Sequence, residues 1–247
     1  PCGVFENGSG GYTIELTDES DKDIAFTYKI TDYYGNEENS TVYCVAGNSS
    51  AHIDLSDYDN GWYKIEIAGM GENYTAAFSV VDKYSERYSG DTPFAADFAS
   101  GHKSNYIQDR RDLSRAARLA GVKWMRERIG WQNADSDGKI NTDLIREVTD
   151  DINNEGINVL PMLGTSGSDW QSSIDAVKIY NVIKQMAGGM NEKSSTLEIF
   201  NEVDGGFTGV PADVYAAFYK AAAIGAVDGG GQSVFAGLIQ DKNSDFR

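Results

Sequence analysis

The chain has 247 residues, of which 40% are hydrophobic and 24% are charged, a composition typical of globular proteins. Its formal net charge is −17 and its pI is about 4.4. This charge argues against nucleic acid and anionic membranes as partners, because both attract concentrated Lys and Arg. A neutral substrate fits the charge better. No apolar run approaches the roughly 18 residues of a membrane helix, so we expect no membrane span.

Three features of the first third of the chain bear on location. Cys2 and Cys44 are either joined by a disulfide, which would indicate an oxidising compartment, or are two buried thiols; both readings stay open. The chain begins at Pro1 with no signal peptide, so we expect a processed product or a fragment. Four Asn-x-Ser/Thr sequons begin at Asn7, Asn39, Asn48 and Asn73. We expect a secreted, extracellular protein.

Residues 1–88 are predicted to form an all-β domain. Apolar and polar residues alternate over 12–16, 24–30 and 62–67, as in half-buried strands. Gly and Asn cluster between these segments, where turns require them. Short strands at this spacing predict an immunoglobulin-like β-sandwich of about seven strands.

Residues 89–247 are predicted to alternate strand and helix. The predicted strands are 94–98, 122–129, 157–163, 196–200 and 233–239. The predicted helices are 105–120, 141–155, one with Ile179, Val182, Ile183 and Met186 inward, and 211–226 with Val214, Ala217, Phe218 and Ala221 inward. One unit takes roughly 35 residues, which indicates right-handed βαβ crossovers and a parallel sheet.

Either an eight-fold (β/α)8 barrel or an open doubly wound sheet would satisfy this alternation. No Gly-x-Gly-x-x-Gly follows the first predicted strand, which disfavours the nucleotide-binding sheet. The sequence therefore favours a barrel of the TIM type.

The fourth predicted strand, an apolar run from Leu197 to Phe200, opens into Asn201 and Glu202. The second predicted strand carries Arg126 and is followed by Trp131. Together these residues resemble the clan A retaining glycoside hydrolases, whose catalytic domain is a (β/α)8 barrel. The members nearest in pattern are β-xylosidase-like proteins of family 39 and proteins of family 5. Phe200 and Val203 stand where that group often has Trp and Pro.

This resemblance implies a role for each matching residue. Glu202 would be the general acid and base, Asn201 would contact the sugar 2-hydroxyl, and Arg126 would support the nucleophile. Trp131 and Trp170 follow strands and would stack on sugar rings. The alternative for Arg126 is a structural ion pair, and for Trp170 it is loop packing.

The chemistry requires these residue types independently. A retaining glycosidase uses two carboxyl groups about 5–5.5 Å apart, one as nucleophile and one as proton donor. The proton donor functions best in partly apolar surroundings, and Phe200 and Val203 flank Glu202. We expect no cofactor and no metal. Residues 133–140 resemble half of a calcium loop, but Leu144 occupies the position where such a loop needs Glu.

Only five of the eight strands of a barrel are predicted in this chain. In the resembled group the nucleophile lies on strand seven, so the resemblance places it in a missing C-terminal part of the barrel. We therefore expect this chain alone to be nearly inactive, and the full protein to hydrolyse oligo- or polysaccharides. The alternatives are a non-catalytic extracellular glycan-binding or assembly protein on the same scaffold and, more remotely, a barrel aldolase or isomerase.

Overall fold

The computed structural model describes residues 3–10, 12–17, 22–44, 50–83, 95–99, 107–130, 139–164, 175–205 and 211–238. The chain divides into two compact units, the N-terminal unit Pro1–Gly90 and the C-terminal unit Asp91–Arg247. Among the described helices, none has the length and apolar character needed to cross a membrane.

The described part of the N-terminal unit consists of strands. These are β1 (Val4–Glu6), β2 (Thr13–Thr17), β3 (Ile24–Asp32), β4 (Glu37–Cys44), β5 (Ser50–Asp54), β6 (Gly61–Gly69) and β7 (Glu72–Val81). One sheet has the order β1-β7-β6-β3-β4, in which only the β1–β7 pair is parallel. Strands β2 and β5 form a separate antiparallel pair.

The core of this unit is built from both sheets. Phe26, Ile65 and Phe78 of the larger sheet are buried in one cluster with Ala51 and Ile53 of β5. Alternation along each strand places the intervening residues on the opposite, outward face. Residues of both sheets thus share one core, and the immunoglobulin-like sandwich stays a prediction. Cys44 is a buried free thiol that donates to the carbonyl oxygen of Leu16 at 3.3 Å, and Cys2 lies outside the described residues.

The C-terminal unit alternates strand and helix. Its strands are β8 (Ala95–Asp97), β9 (Trp124–Gly130), β10 (Asn158–Gly164), β11 (Thr196–Ile199) and β12 (Gln232–Phe235). Its described helices are α1 (Ile107–Leu119), α2 (Thr142–Asn154), α3 (Ala176–Gly189) and α4 (Ala212–Asp228), with a short 3-10 helix at Glu192–Ser194. Each strand pairs in parallel with its neighbour, and the five lie in chain order.

The two faces of this parallel sheet differ in chemistry. Met125, Ile129, Leu197 and Ile199 are buried on one face in the clusters that contain the helix residues. The residues between them, such as Arg126 and Glu198, belong to the opposite face by the two-residue alternation of a strand. Strands in unbroken chain order lack the reversal that marks a doubly wound sheet. This order agrees with the predicted barrel, of which only five strands are described.

The helices lie where they were predicted, but the predicted buried face of α4 is partly wrong. Ile179, Val182, Ile183 and Met186 are buried on α3 as predicted. On α4 the prediction was wrong for Ala217, which is exposed; the buried residues are Tyr215, Phe218, Ala222, Gly225 and Ala226. Gly225 faces α3 so closely that an added Cβ would lie 2.5 Å from the Tyr180 carbonyl oxygen. The close contact between α3 and α4 therefore determines which face of α4 is buried. The apolar spacing of Val214 and Ala217 does not determine it.

Candidate active site

The residues of the candidate site lie on three parallel strands or directly after one of them. Asp97 is the last residue of β8 and is aligned with Arg126 on β9. Glu198 on β11 is aligned with Met162 on β10, which is itself aligned with Arg128 on β9. Since parallel strands run in the same direction, these side chains meet at one edge of the sheet, on the face opposite the helices.

Arg126 is the centre of the site. Its Nε donates to Glu198 Oε2 at 2.6 Å, and its Nη2 donates to Glu198 Oε1 at 2.9 Å, forming a bidentate pair. The same Nη2 donates to Asn201 Oδ1 at 2.7 Å. Its Nη1 donates to Asp97 Oδ2 at 2.7 Å. The guanidinium therefore joins the ends of three strands, and we refer to these four residues as the Arg126 network.

Burial makes this network more than a surface ion pair. The side chain of Glu198 is 6% exposed and that of Arg126 is 20% exposed. Besides Arg126, the Glu198 carboxylate accepts a hydrogen bond from the Gly237 backbone N–H at 3.1 Å. The hydrogen bonds to Glu198, with the charge of that carboxylate, hold the pKa of Arg126 above its usual value. Arg128 lies 3.7 Å from Asp97 and adds a second, more exposed positive charge.

The backbone turns sharply where β11 ends. Phe200 and Glu202, on either side of Asn201, have φ of 72° and 48°. Such left-handed conformations are uncommon for residues other than Gly and cluster at functional sites. The Phe200 N–H donates to the Leu163 carbonyl, and the Glu202 N–H donates to the Gly237 carbonyl at 2.8 Å. These bonds to the neighbouring strand segments hold Asn201 and Glu202 at the mouth of the sheet.

Tyr215 supports the same edge from α4. Its buried hydroxyl donates to the Ile199 carbonyl at 2.7 Å and accepts from the Ala236 N–H at 3.2 Å. It thereby joins the ends of β11 and β12 directly behind Asn201 and Glu198. Burial raises the pKa of Tyr215 well above its ordinary value, so the hydroxyl keeps its proton.

The predicted site residues divide into two groups. Arg126 and Asn201 are in direct contact, and Glu202 follows Asn201 at the same strand end. The two tryptophans, Trp131 and Trp170, lie outside the described residues. Phe200 and Val203, which flank Asn201 and Glu202 in the sequence, are both buried in the core of the C-terminal unit.

Sequence reasoning missed Glu198 as a site residue and left Asp97 without a role. The signal for Glu198 was a carboxylate inside an otherwise apolar strand, since such a group needs a buried partner. Arg126 supplies the positive charge beside Glu198, at 2.6 Å. For Asp97 the signal was its position at the end of a first parallel strand.

The arrangement suits recognition of a neutral polar ligand. Arg126 is surrounded by Asp97 and Glu198, so its charge is locally balanced. Because Asn201 Oδ1 accepts from Arg126, the other polar side-chain atom of Asn201 is Nδ2, a hydrogen-bond donor. Within the described residues, no group of three or more His, Cys, Asp or Glu side chains is placed to hold a metal ion.

Comparison with models of protein families found no match, and comparison with curated proteins found none either. Solved structures do match. A family 39 glycoside hydrolase from the gut symbiont Bacteroides cellulosilyticus WH2 has a TM-score of 0.70 at 16% identity, covering 95% of this chain and 50% of that protein.

Two further structures are similar at a lower level. A GH5_18 protein from Bifidobacterium longum subsp. longum in complex with Manb1-4GlcNAc has a TM-score of 0.49 at 11% identity, over 60% of this chain and 43% of that one. A Bacteroides ovatus GH5 xyloglucanase in complex with a XXXG heptasaccharide has a TM-score of 0.41 at 10% identity, over 96% of this chain and 64% of that one. The similarity to the family 39 protein shows that this chain has a glycosidase-like fold. The chain spans about half of that protein's length.

Proposed function

We propose that this chain is the front part of a retaining glycosidase acting on neutral β-linked glycans, with Glu202 as the general acid and base. The observation that carries the proposal is the Arg126 network. It places Asn201 against Arg126 at 2.7 Å and leaves the next residue, Glu202, at the mouth of β11. The fold shared with a family 39 glycoside hydrolase supports the same reading.

The proposed mechanism gives each residue one task. Glu202 donates a proton to the glycosidic oxygen as a carboxylate nucleophile, lying outside this chain, attacks the anomeric carbon. Glu202 then removes a proton from water, which attacks the same carbon and frees the nucleophile. The Nδ2 of Asn201 donates to a substrate hydroxyl, while Arg126 positions Asn201 and supports the nucleophile. Trp131 and Trp170 would stack on sugar rings.

Hydrolysis of aryl β-glycosides by the full-length protein tests this proposal. Glu202→Ala should lower kcat/KM by about a hundredfold or more for poor leaving groups. The loss should be much smaller for 2,4-dinitrophenyl glycosides, because that leaving group departs without protonation. Added azide should restore turnover and yield a β-glycosyl azide, since azide attacks the glycosyl-enzyme without a general base.

The matched control is Glu192→Ala, which removes an exposed carboxylate from the 3-10 helix. It should leave all rates unchanged. Equal activity of Glu202→Ala and the parent protein on every leaving group would refute the role of Glu202. Strong turnover by the 247-residue chain alone would refute a nucleophile outside it. A full-length protein that binds glycans without cleaving them would favour the non-catalytic alternative.

A further inference from the structure

A second polar surface lies in the N-terminal unit. An open groove of about 600 Å³ crosses β4, β3, β6 and β7. Strand register places Thr41, Thr27, Ala68 and Asn73 in one row, and Asn39, Lys29, Glu66 and Thr75 in the next row on the same face. Phe26, Ile30, Ile65 and Ile67 alternate with these residues and are buried, so the two rows face outward. We refer to these two rows as the sheet groove.

Short hydroxyl and amide side chains dominate the sheet groove. Thr27, Thr41, Asn39 and Asn73 line it and are exposed. Such groups offer donors and acceptors in fixed positions, because the backbone beneath them belongs to a hydrogen-bonded sheet.

The charges beside the sheet groove cancel. Lys29 Nζ lies 3.0 Å from Glu37 Oε1 and 3.1 Å from Glu66 Oε2, and Lys64 Nζ lies 2.8 Å from Glu66 Oε1. Two ammonium groups thus offset two carboxylates in a chain whose net charge is −17. A surface that is polar yet locally neutral complements an uncharged polar ligand better than an ionic one.

An aromatic ring borders the sheet groove. Tyr43, two residues beyond Thr41 on the same face, is 68% exposed. It is aligned with Ala25, which has a small side chain. Flat rings with a polar tip can stack on the C–H face of a sugar while hydroxyls pair with the adjoining amides.

We propose that the sheet groove binds a neutral oligosaccharide, at a site separate from the Arg126 network. Tyr43 would stack on a sugar ring, and Asn39, Asn73 and Glu66 would bond to sugar hydroxyls. The choice of a glycan as the ligand rests on the proposed function of the chain. Binding at the groove nevertheless needs no catalysis, so it can be tested by itself.

Isothermal titration of the 247-residue chain with cellohexaose, xylohexaose and mannohexaose tests the proposal. At least one of the three should bind, and hexagalacturonate, which is anionic, should not. Tyr43→Ala should weaken binding about tenfold, and Thr27→Arg, which places a long side chain in the centre of the groove, should abolish it. The matched control is Tyr34→Ala, which removes a ring that is 87% exposed in the β3–β4 turn.

Two comparisons separate this site from the proposed active site. Glu202→Ala should leave the measured affinity unchanged, whatever it does to hydrolysis. Failure of all three hexasaccharides to bind would overturn the groove proposal and leave the hydrolysis test untouched. Binding that survives Thr27→Arg would overturn it as well.

The sequons add an independent test. Asn39-Ser40-Thr41 and Asn73-Tyr74-Thr75 both lie in the sheet groove. A covalent glycan on either Asn would occupy the space that the ligand needs. Peptide mass mapping of the protein from its own host should find Asn39 and Asn73 unmodified, and a glycan at either position would overturn the proposal.

Discussion

The two units use the same ion-pair chemistry in opposite environments. In the N-terminal unit Lys29 and Glu66 pair across neighbouring strands with side chains 36% and 37% exposed. In the C-terminal unit Arg126 and Glu198 pair with side chains 20% and 6% exposed. Water competes with the first pair and is largely excluded from the second, so we expect the second to matter far more to folding.

Sheet type explains this difference. The mainly antiparallel sheet of the N-terminal unit has one face on the core and one in solvent, so polar residues alternate along its whole length. The parallel strands of the C-terminal unit carry helices on one face and gather polar side chains where β8, β9 and β11 end. The antiparallel sheet therefore carries exposed ion pairs on its solvent face, and the parallel sheet carries a more buried cluster of charged side chains.

The largest expected effect is that of Arg126→Met. This change leaves the Glu198 carboxylate buried without its charge partner, and should lower the free energy of unfolding of the C-terminal unit by about 3–5 kcal/mol. Hydrogen exchange measured by mass spectrometry on peptides from β9 and β11 resolves this unit from the other. Arg128→Met is the matched control on the same face of β9, and should cost under about 1 kcal/mol because Arg128 is exposed. Equal costs for the two variants would contradict a special role for burial.

A smaller effect is expected for Tyr215→Phe. The change removes one hydroxyl and leaves the Ile199 carbonyl and the Ala236 N–H without that partner, which should cost about 1–3 kcal/mol. Urea unfolding measures the loss. The control is Tyr219→Phe, which should cost less because the Tyr219 hydroxyl accepts from Ser233 Oγ at a longer distance of 3.4 Å. A loss no larger for Tyr215→Phe than for Tyr219→Phe would show that Tyr215 does not join the two strand ends.

The pH dependence of Tyr215→Phe sharpens this test. Burial raises the folded-state pKa of Tyr215 above the unfolded value of about 10, so the group favours folding while it holds its proton. Its contribution is complete below pH 10 and is lost as the pH rises toward the folded-state pKa. The stability difference between the parent chain and Tyr215→Phe should therefore shrink above about pH 10. A constant difference up to the alkaline limit of folding would argue against a buried, protonated phenol.

The smallest effect is expected for Lys29→Met in the N-terminal unit. Lys29 pairs with Glu37 and Glu66, yet exposed pairs contribute only about 0–1 kcal/mol. Hydrogen exchange of β3 and β6 peptides should change little, and added salt should reduce the difference further. A loss comparable to that of Arg126→Met would break the contrast between the two units.

Much of the secondary structure was predictable from pattern alone. The alternation in residues 24–30 and 62–67 corresponds to β3 and β6, and the apolar face of α3 was identified residue by residue. The buried face of α4 was not, because a helix rich in alanine has no strong periodicity. There Gly225 and its contact with Tyr180 determine the packing, and that contact is invisible before the helices meet.

The sequence predicted some of the residues of the candidate site and missed others. Asn201, Glu202 and Arg126 were identified because their types and their positions after strands suit sugar chemistry. Glu198 was missed as a site residue, since a carboxylate within an apolar strand has no evident role until its partner is known. That partner lies 72 residues earlier, on a strand that is not even adjacent to β11.

The sequence by itself determined the positions of the strands and helices, the two regions of different architecture and the acidic character of the chain. These depend on local periodicity, turn residues and composition, which act over a few residues. Only the tertiary structure decided that one guanidinium joins Asp97, Glu198 and Asn201, and that two rows of small polar side chains form a groove on β3, β4, β6 and β7. Such arrangements depend on strand register and burial, which relate residues far apart in the chain.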